Sequence, residues 1–382
     1  MKTFKKTYGL DQIALVPTNK TIDPDLVDIN VKLGNISLKV PIIASAMDSV
    51  VDTKTAVSLT KSGALGILNL EGLQTRYENV DEILKDIAKI DNTDYISKMQ
   101  ELYKEPVKPE LVKKRILEIK NANGIAFVSS TPANANFLGE IAEQAGADGF
   151  LVQSTVVAHE HETNKLETKL DLKAFCKKMS IPVLVGNTTT YESAISLMRL
   201  GVKGVFIGIG PGAACTTRGV LGIGVPMATA ISDAANARND YFKETGEYVP
   251  VIADGGIINS GDICKSLCIG ADAVMIGSPL ARAKSAPGNG YHWGMATPDK
   301  LLPRGARIKV EQQASLEQIL FGPSNCDNGT QNLFGAIVTC MATLGTKTIK
   351  ELHENVQVII APSLQTEGKA YQEKQNIGMK KK

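Results

Sequence analysis

The chain has 382 residues, 42 of them basic and 40 acidic, and 43% are hydrophobic. A net charge of +2 gives no general pull toward nucleic acid or an anionic membrane. No apolar run reaches the roughly 18 residues of a membrane span, and the start, Met1-Lys2-Thr3-Phe4-Lys5-Lys6, has no apolar signal core. The expectation is a soluble, cytoplasmic, glycine-rich protein that buries a large core.

Eight short apolar runs recur along the chain, at 40–44, 64–68, 124–128, 149–152, 181–185, 204–208, 250–253 and 273–276. They are continuous rather than alternating, as strands buried on both faces are. Helical patterns lie between most of them. Two such patterns, 137–145 and 191–200, stop just before Gly146 and Gly201, residues suited to a helix C-cap. Eight strands with helical crossovers predict a (β/α)8 TIM barrel as one domain over 1–382. A doubly wound open sheet is the alternative.

Two segments interrupt the repeat. Residues 71–120 are dense in both charge signs and read as a helical insertion between the second and third strands. Residues 283–335 are rich in Gly, Pro, Asn and Gln, lack a strand signature, and read as an active-site flap. The six cysteines contain no Cys-x-x-Cys pair and suit a reduced interior. Cys264 and Cys268 share a helix and read as core. His159-Glu160-His161-Glu162 could bind a divalent metal, but reads better as a solvated loop.

In such a barrel the working residues sit at the C-terminal strand ends. The seventh run closes in Asp254-Gly255-Gly256 and the eighth in Gly277-Ser278, small residues that let backbone amides approach a phosphate. Asp254 could hold the hydroxyls of a ribose. The sixth run leads into Gly208-Ile209-Gly210-Pro211-Gly212-Ala213-Ala214-Cys215-Thr216-Thr217-Arg218. There Cys215 reads as a nucleophile, Thr217 as a proton relay, and Arg218 as a nearby cation.

With Ser45-Ala46-Met47-Asp48-Ser49-Val50, Leu10-Asp11-Gln12, Trp293-Gly294-Met295, Leu344-Gly345-Thr346 and Gln365-Thr366-Glu367-Gly368, these motifs run in order along nearly the whole chain. In them the chain resembles the IMP dehydrogenase/GMP reductase family. It is most similar to the short dehydrogenase-related branch without paired regulatory domains, for which 71–120 leaves no room. The resemblance implies that Cys215 attacks C2 of IMP, that hydride passes to NAD, and that water releases XMP. It implies that Ser45, Met47, Ala213, Asp254, Gly255, Gly256, Gly277, Ser278, His292, Gly294 and Met295 hold the nucleotide, with Glu311 or Gln312 at the purine. Gln153, Ser154, Thr155 and Asn187 would face the nicotinamide riboside, with Gly208 and Gly210 on the cofactor side. Carbonyls of Gly210, Gly212 and Cys215, with Glu367 of a neighbouring subunit, would bind potassium in a homotetramer or octamer. Arg304 or Arg307 would activate water.

Some positions depart from the family pattern. Gln153 replaces an Asp, Ala213 a Ser, His292 a Tyr and Lys369 a Gly. The cysteine loop is also close to the GMP reductase pattern, which implies NADPH-dependent release of ammonia from GMP. A third reading is a catalytically weak purine-nucleotide regulator, and a flavin-dependent barrel is a remote fourth.

Overall fold

The computed structural model describes residues 4–91, 94–164, 169–294 and 307–361. Eight parallel strands close into a barrel. They are β1 (Ile42–Ala44), β2 (Leu65–Asn69), β3 (Phe127–Ser130), β4 (Gly149–Gln153), β5 (Val183–Thr188), β6 (Val205–Ile207), β7 (Val251–Asp254) and β8 (Ala273–Ile276). Closure is between β8 and β1, where Val274 pairs with Ile42 and Met275 with Ile43. The open sheet is thereby excluded.

Side-chain alternation explains the continuous apolar runs. Ile43, Leu151, Phe206 and Ile252 point into the barrel and form one core. Their neighbours Ile42, Phe150, Val152, Val205 and Val251 point outward, into a second core beneath the helices. Both faces are dry, so neither can be polar. A hairpin, Val31–Leu33 with Ile36–Leu38, adds Leu33 and Leu38 to the inner core. Its turn at Gly34 abuts Pro182 and Lys203, just before β5 and β6, so it closes the N-terminal end. The opposite end, where the βα loops emerge, stays open for a site.

The stretch between β2 and β3 holds helices Val80–Lys89, Tyr95–Leu102 and Pro109–Asn121. The last packs on Thr53–Lys61 and Ala135–Gln144, so it belongs to the barrel's own ring. The excursion is therefore shorter than charge density alone suggests, because Leu111, Val112, Ile116 and Ile119 bury an apolar stripe against the barrel.

The described parts of the 283–335 segment, 283–294 and 307–335, hold more regular structure than their composition implies. Tyr291–Trp293 and Arg307–Lys309 form an antiparallel ribbon, and Leu316–Phe321 is helical. Strands of three residues are too short to leave a periodic signature. Among the described residues, no helix is long and apolar enough to cross a membrane, and no group of three or more His, Cys, Asp or Glu is placed to hold a metal ion.

Candidate active site

The β6 loop lies over the end of β7. Gly208 has φ 143°, a conformation that L side chains rarely adopt, and a Cβ there would collide with the Asp254 carbonyl oxygen. Further on, Pro211 sits against Gly255 and Gly256. The cysteine loop and the glycine loop after β7 thus form one wall. Across from it, Gly277 at the end of β8 lies against the His292 imidazole and the Met47 sulfur, at 3.0 and 3.4 Å from where its Cβ would be. Gly294 lies near the Ala214 carbonyl and the Met47 methyl. Ser45 follows β1, its amide donating to the Ile276 carbonyl of β8 at 3.1 Å. Loops after β1, β6, β7 and β8 and the ribbon therefore converge.

Cys215 is exposed, whereas Thr217, two residues on, is buried. The thiol donates to the Thr217 hydroxyl at 3.2 Å. This places a thiol at the surface of the loop with a hydroxyl behind it. Arg218 lies near enough to Cys215 for their charges to interact, and it is also held by the backbone. Its guanidinium donates to the carbonyls of Ile209 at 3.0 Å and Val225 at 2.7 Å, bracing the loop. Burial holds its pKa below the usual arginine value.

At the end of β7, Asp254 Oδ2 accepts from Gln153 at 3.0 Å and from Asn187 at 2.7 Å. Asn187 also donates to the Gly208 carbonyl at 2.7 Å, tying β5 to the cysteine loop. Desolvation pushes the Asp254 carboxyl up to about 6, against the opposing effect of the two amides. A carboxylate in place of Gln153 would stand as a like charge beside Asp254, whereas the amide donates to it. Ser154 exchanges backbone hydrogen bonds with Gly186 and Asn187, and Thr155 is exposed.

His292 is 3% exposed, its Nδ1 3.2 Å from the Ser49 hydroxyl. Burial lowers its pKa to about 4, so it is neutral at physiological pH.

Arg307, one of the two candidates for water activation, is engaged within the chain. Its guanidinium donates to the Ile87 and Ile90 carbonyls at 2.7 and 2.6 Å and stacks between the rings of Tyr95 and Tyr291. The terminal carbonyls of a helix attract a cation strongly, and this pairing takes the side chain. Gln312 is also turned aside, its amide donating to the Lys284 carbonyl at 3.4 Å, and both it and Glu311 are exposed. Ala213 lies exposed on the cysteine loop. Met295, Arg304, Glu367 and Lys369 lie outside the described residues.

Sequence reasoning missed the buried carboxyl of Asp48. It accepts from the Leu73 amide at 3.0 Å and from the Tyr103 hydroxyl at 2.5 Å, and burial raises its pKa. The only signal was its place beside Met47 in the Ser-Ala-Met-Asp-Ser motif.

Comparisons with known proteins agree with this geometry. Residues 7–371 match the model of the IMP dehydrogenase / GMP reductase domain. An uncharacterized oxidoreductase of Mycolicibacterium smegmatis is 37% identical over 362 residues, 92% of this chain and 96% of that protein. The inosine-5'-monophosphate dehydrogenase of Cryptosporidium parvum is 31% identical over 388 residues, 92% of this chain and 91% of that protein. The crystal structure of an IMP dehydrogenase/GMP reductase-like protein from Corynebacterium glutamicum superposes with a TM-score of 0.88 at 35% identity, covering 94% of this chain and 95% of that one.

Proposed function

Because the chain belongs to the IMP dehydrogenase / GMP reductase family, we propose that it is an oxidoreductase acting at C2 of a purine nucleoside 5'-monophosphate, with IMP oxidation by NAD as its reaction. The observation that carries this is the exposed Cys215 thiol, hydrogen-bonded to the buried Thr217 hydroxyl, on a loop whose Pro211 and Gly212 lie against the glycine loop of β7. The thiol loses its proton and adds to C2. A bound nicotinamide would supply the hydride acceptor for C2, and loss of that hydride would leave a thioimidate on the Cys215 sulfur. Water then adds at C2 and the thiolate departs, giving XMP. Thr217, which accepts the thiol's hydrogen bond, would relay that proton by passing its own hydroxyl proton on to water.

Asp254 holds the ribose hydroxyls with Oδ1, since Oδ2 already accepts two amides. Backbone amides at Gly256, Gly277 and Ser278 receive the phosphate, with neutral His292 beside them. A nicotinamide riboside would rest on Gln153, Ser154 and Asn187. These offer neutral amide and hydroxyl contacts, which fit its uncharged hydroxyls. A potassium ion fits the chemistry of the Gly210, Gly212 and Cys215 carbonyls. The Gly212 oxygen accepts from the Cys215 amide at 3.0 Å and keeps its second lone pair. Glu367 of a neighbouring copy in a homotetramer would complete that set.

GMP reduction is the second reading, favoured by Arg307. With that guanidinium held on the Ile87 and Ile90 carbonyls, Arg304 is left as the hydrolytic base. A reductase needs none: the thiol adds to C2 of GMP, ammonia leaves, and hydride from NADPH releases IMP and the thiolate. A paired assay decides. NADH formed from IMP and NAD supports the first reading, and NADPH consumed with GMP supports the second. Tight nucleotide binding with no hydride transfer in either direction would make the protein a regulator.

A further inference from the structure

The ribbon carrying His292 is held from outside the barrel at two points. At one, Arg307 on the second ribbon strand reaches the C-terminal carbonyls of helix Val80–Lys89 and is stacked by Tyr95 of the insertion and Tyr291 of the first ribbon strand. At the other, Trp293 Nε1 donates to the Tyr103 hydroxyl at 3.4 Å, and that hydroxyl donates to the buried Asp48 carboxyl. Between them, Trp293 packs with Leu73, Val80, Leu84, Ile87, Tyr95 and Met99 in a small apolar core separate from the barrel's. His292 lies between these fastenings in sequence and faces the other way, onto Gly277 and Met47.

We propose that the 73–103 insertion is a positioning platform for the nucleotide site, with Arg307 and Tyr103 as positioning residues that seat His292 against the β8 loop. Adjacent residues of a strand point to opposite faces. Tyr291 and Trp293 thus grip the insertion while His292 meets the site, and a shift of the insertion is passed through a two-stranded ribbon to the β8 loop. The consequence for nucleotide binding rests on the purine-nucleotide reading. The seating of His292 does not.

Trp293 is the protein's single tryptophan, so its fluorescence reports the ribbon alone. In the free protein we expect Trp293 to resist acrylamide and His292 to resist diethyl pyrocarbonate. Arg307→Met should raise both reactivities at least threefold, Tyr103→Phe should raise them less, and Arg307→Lys should restore part of the protection. Tyr103→Phe removes one hydroxyl and keeps the fold testable if Arg307→Met does not fold. Unchanged reactivity of both reporters in both variants overturns the platform. Calorimetry with IMP then reads the coupling: an approximately tenfold weaker Kd in Arg307→Met, with a rise in KM larger than any fall in kcat, supports it. A loosened ribbon with unchanged Kd reduces the clamp to a structural role and overturns the coupling. A parent protein that binds neither IMP nor GMP instead removes the functional reading, and the two reporters still decide the seating of His292.

Discussion

Cys215 is exposed and Thr217 is buried, although they are 3.2 Å apart through sulfur and oxygen. On the proposed reaction, that asymmetry would let one side chain meet the substrate while the other keeps a fixed orientation. Replacing Cys215 by Ala should lower kcat by at least about 10³-fold, and Thr217→Val by about 10²-fold, with nucleotide affinity kept in both. Steady-state assay with IMP and with GMP, beside calorimetry, checks this; turnover surviving in Cys215→Ala would remove the covalent mechanism. Asp254 gives a pH prediction. Its carboxyl titrates near 6, above the ordinary value of 3.8. The folded state therefore binds the proton more tightly than the unfolded chain. The stability this contributes is fully present below about pH 4 and is lost as pH rises through 6. Binding has the opposite sign, because the ribose hydroxyls need the ionised acceptor. IMP affinity should fall by roughly tenfold between pH 7 and 5, and Asp254→Asn should bind weakly with a flat profile. Both Cys215 and Asp254 were legible in the sequence because each stands in a glycine-rich strand end. Arg307 was not, because its partners are backbone carbonyls more than two hundred residues away, and carbonyls leave no trace in sequence.

At the scale of elements, the strands were legible and the ribbon was not, for one physical reason. A barrel strand is apolar on both faces, so even Val205–Ile207 is bounded by glycines and stands out. The ribbon strands Tyr291–Trp293 and Arg307–Lys309 mix two aromatics, a histidine, an isoleucine and two cations, because Tyr291, His292, Trp293 and Arg307 each meet a different partner. The insertion was visible through its charge, but the division between excursion and barrel helix needed the packing of Pro109–Asn121. The cysteine loop yields an element-scale prediction. At Gly208, where φ is 143° and β7 crowds the Cα, Ala should cost about 2–4 kcal/mol and separate the loop from Asp254. Gly212 has open space, its Cβ position 3.9 Å from that of Cys215. Gly212→Ala should therefore fold as the parent does. Urea denaturation of the two variants checks the contrast; equal midpoints would mean that the loop does not lean on β7 as described.

The whole molecule divides its labour between the two ends of the barrel. The βα loops carry the site, while the opposite end holds a buried ion pair that no active-site argument uses. Arg238, on helix Met227–Thr245, donates to Asp272 at 2.9 Å and to the Gly270 carbonyl at 2.8 Å, the two charged side chains being 3% and 8% exposed. Asp272 also accepts from the Val251 amide at 2.8 Å and the Tyr248 hydroxyl at 2.6 Å, and the guanidinium lies 5.0 Å over the Tyr248 ring. One carboxylate thus joins the starts of β7 and β8 to the helix that precedes β7. Removing it leaves a guanidinium in a dry site, so Asp272→Ala should cost about 3–5 kcal/mol. Arg238→Met should cost a similar amount by stranding the carboxylate. The double change to Met and Leu should cost clearly less than the two singles together, because neither charge is then buried alone. Catalytic rate per folded molecule should stay that of the parent in all three, since the pair lies at the N-terminal strand ends. A urea-melt double-mutant cycle measures the coupling directly. Strict additivity would show that the two charges are solvated independently and that the barrel closes without their help.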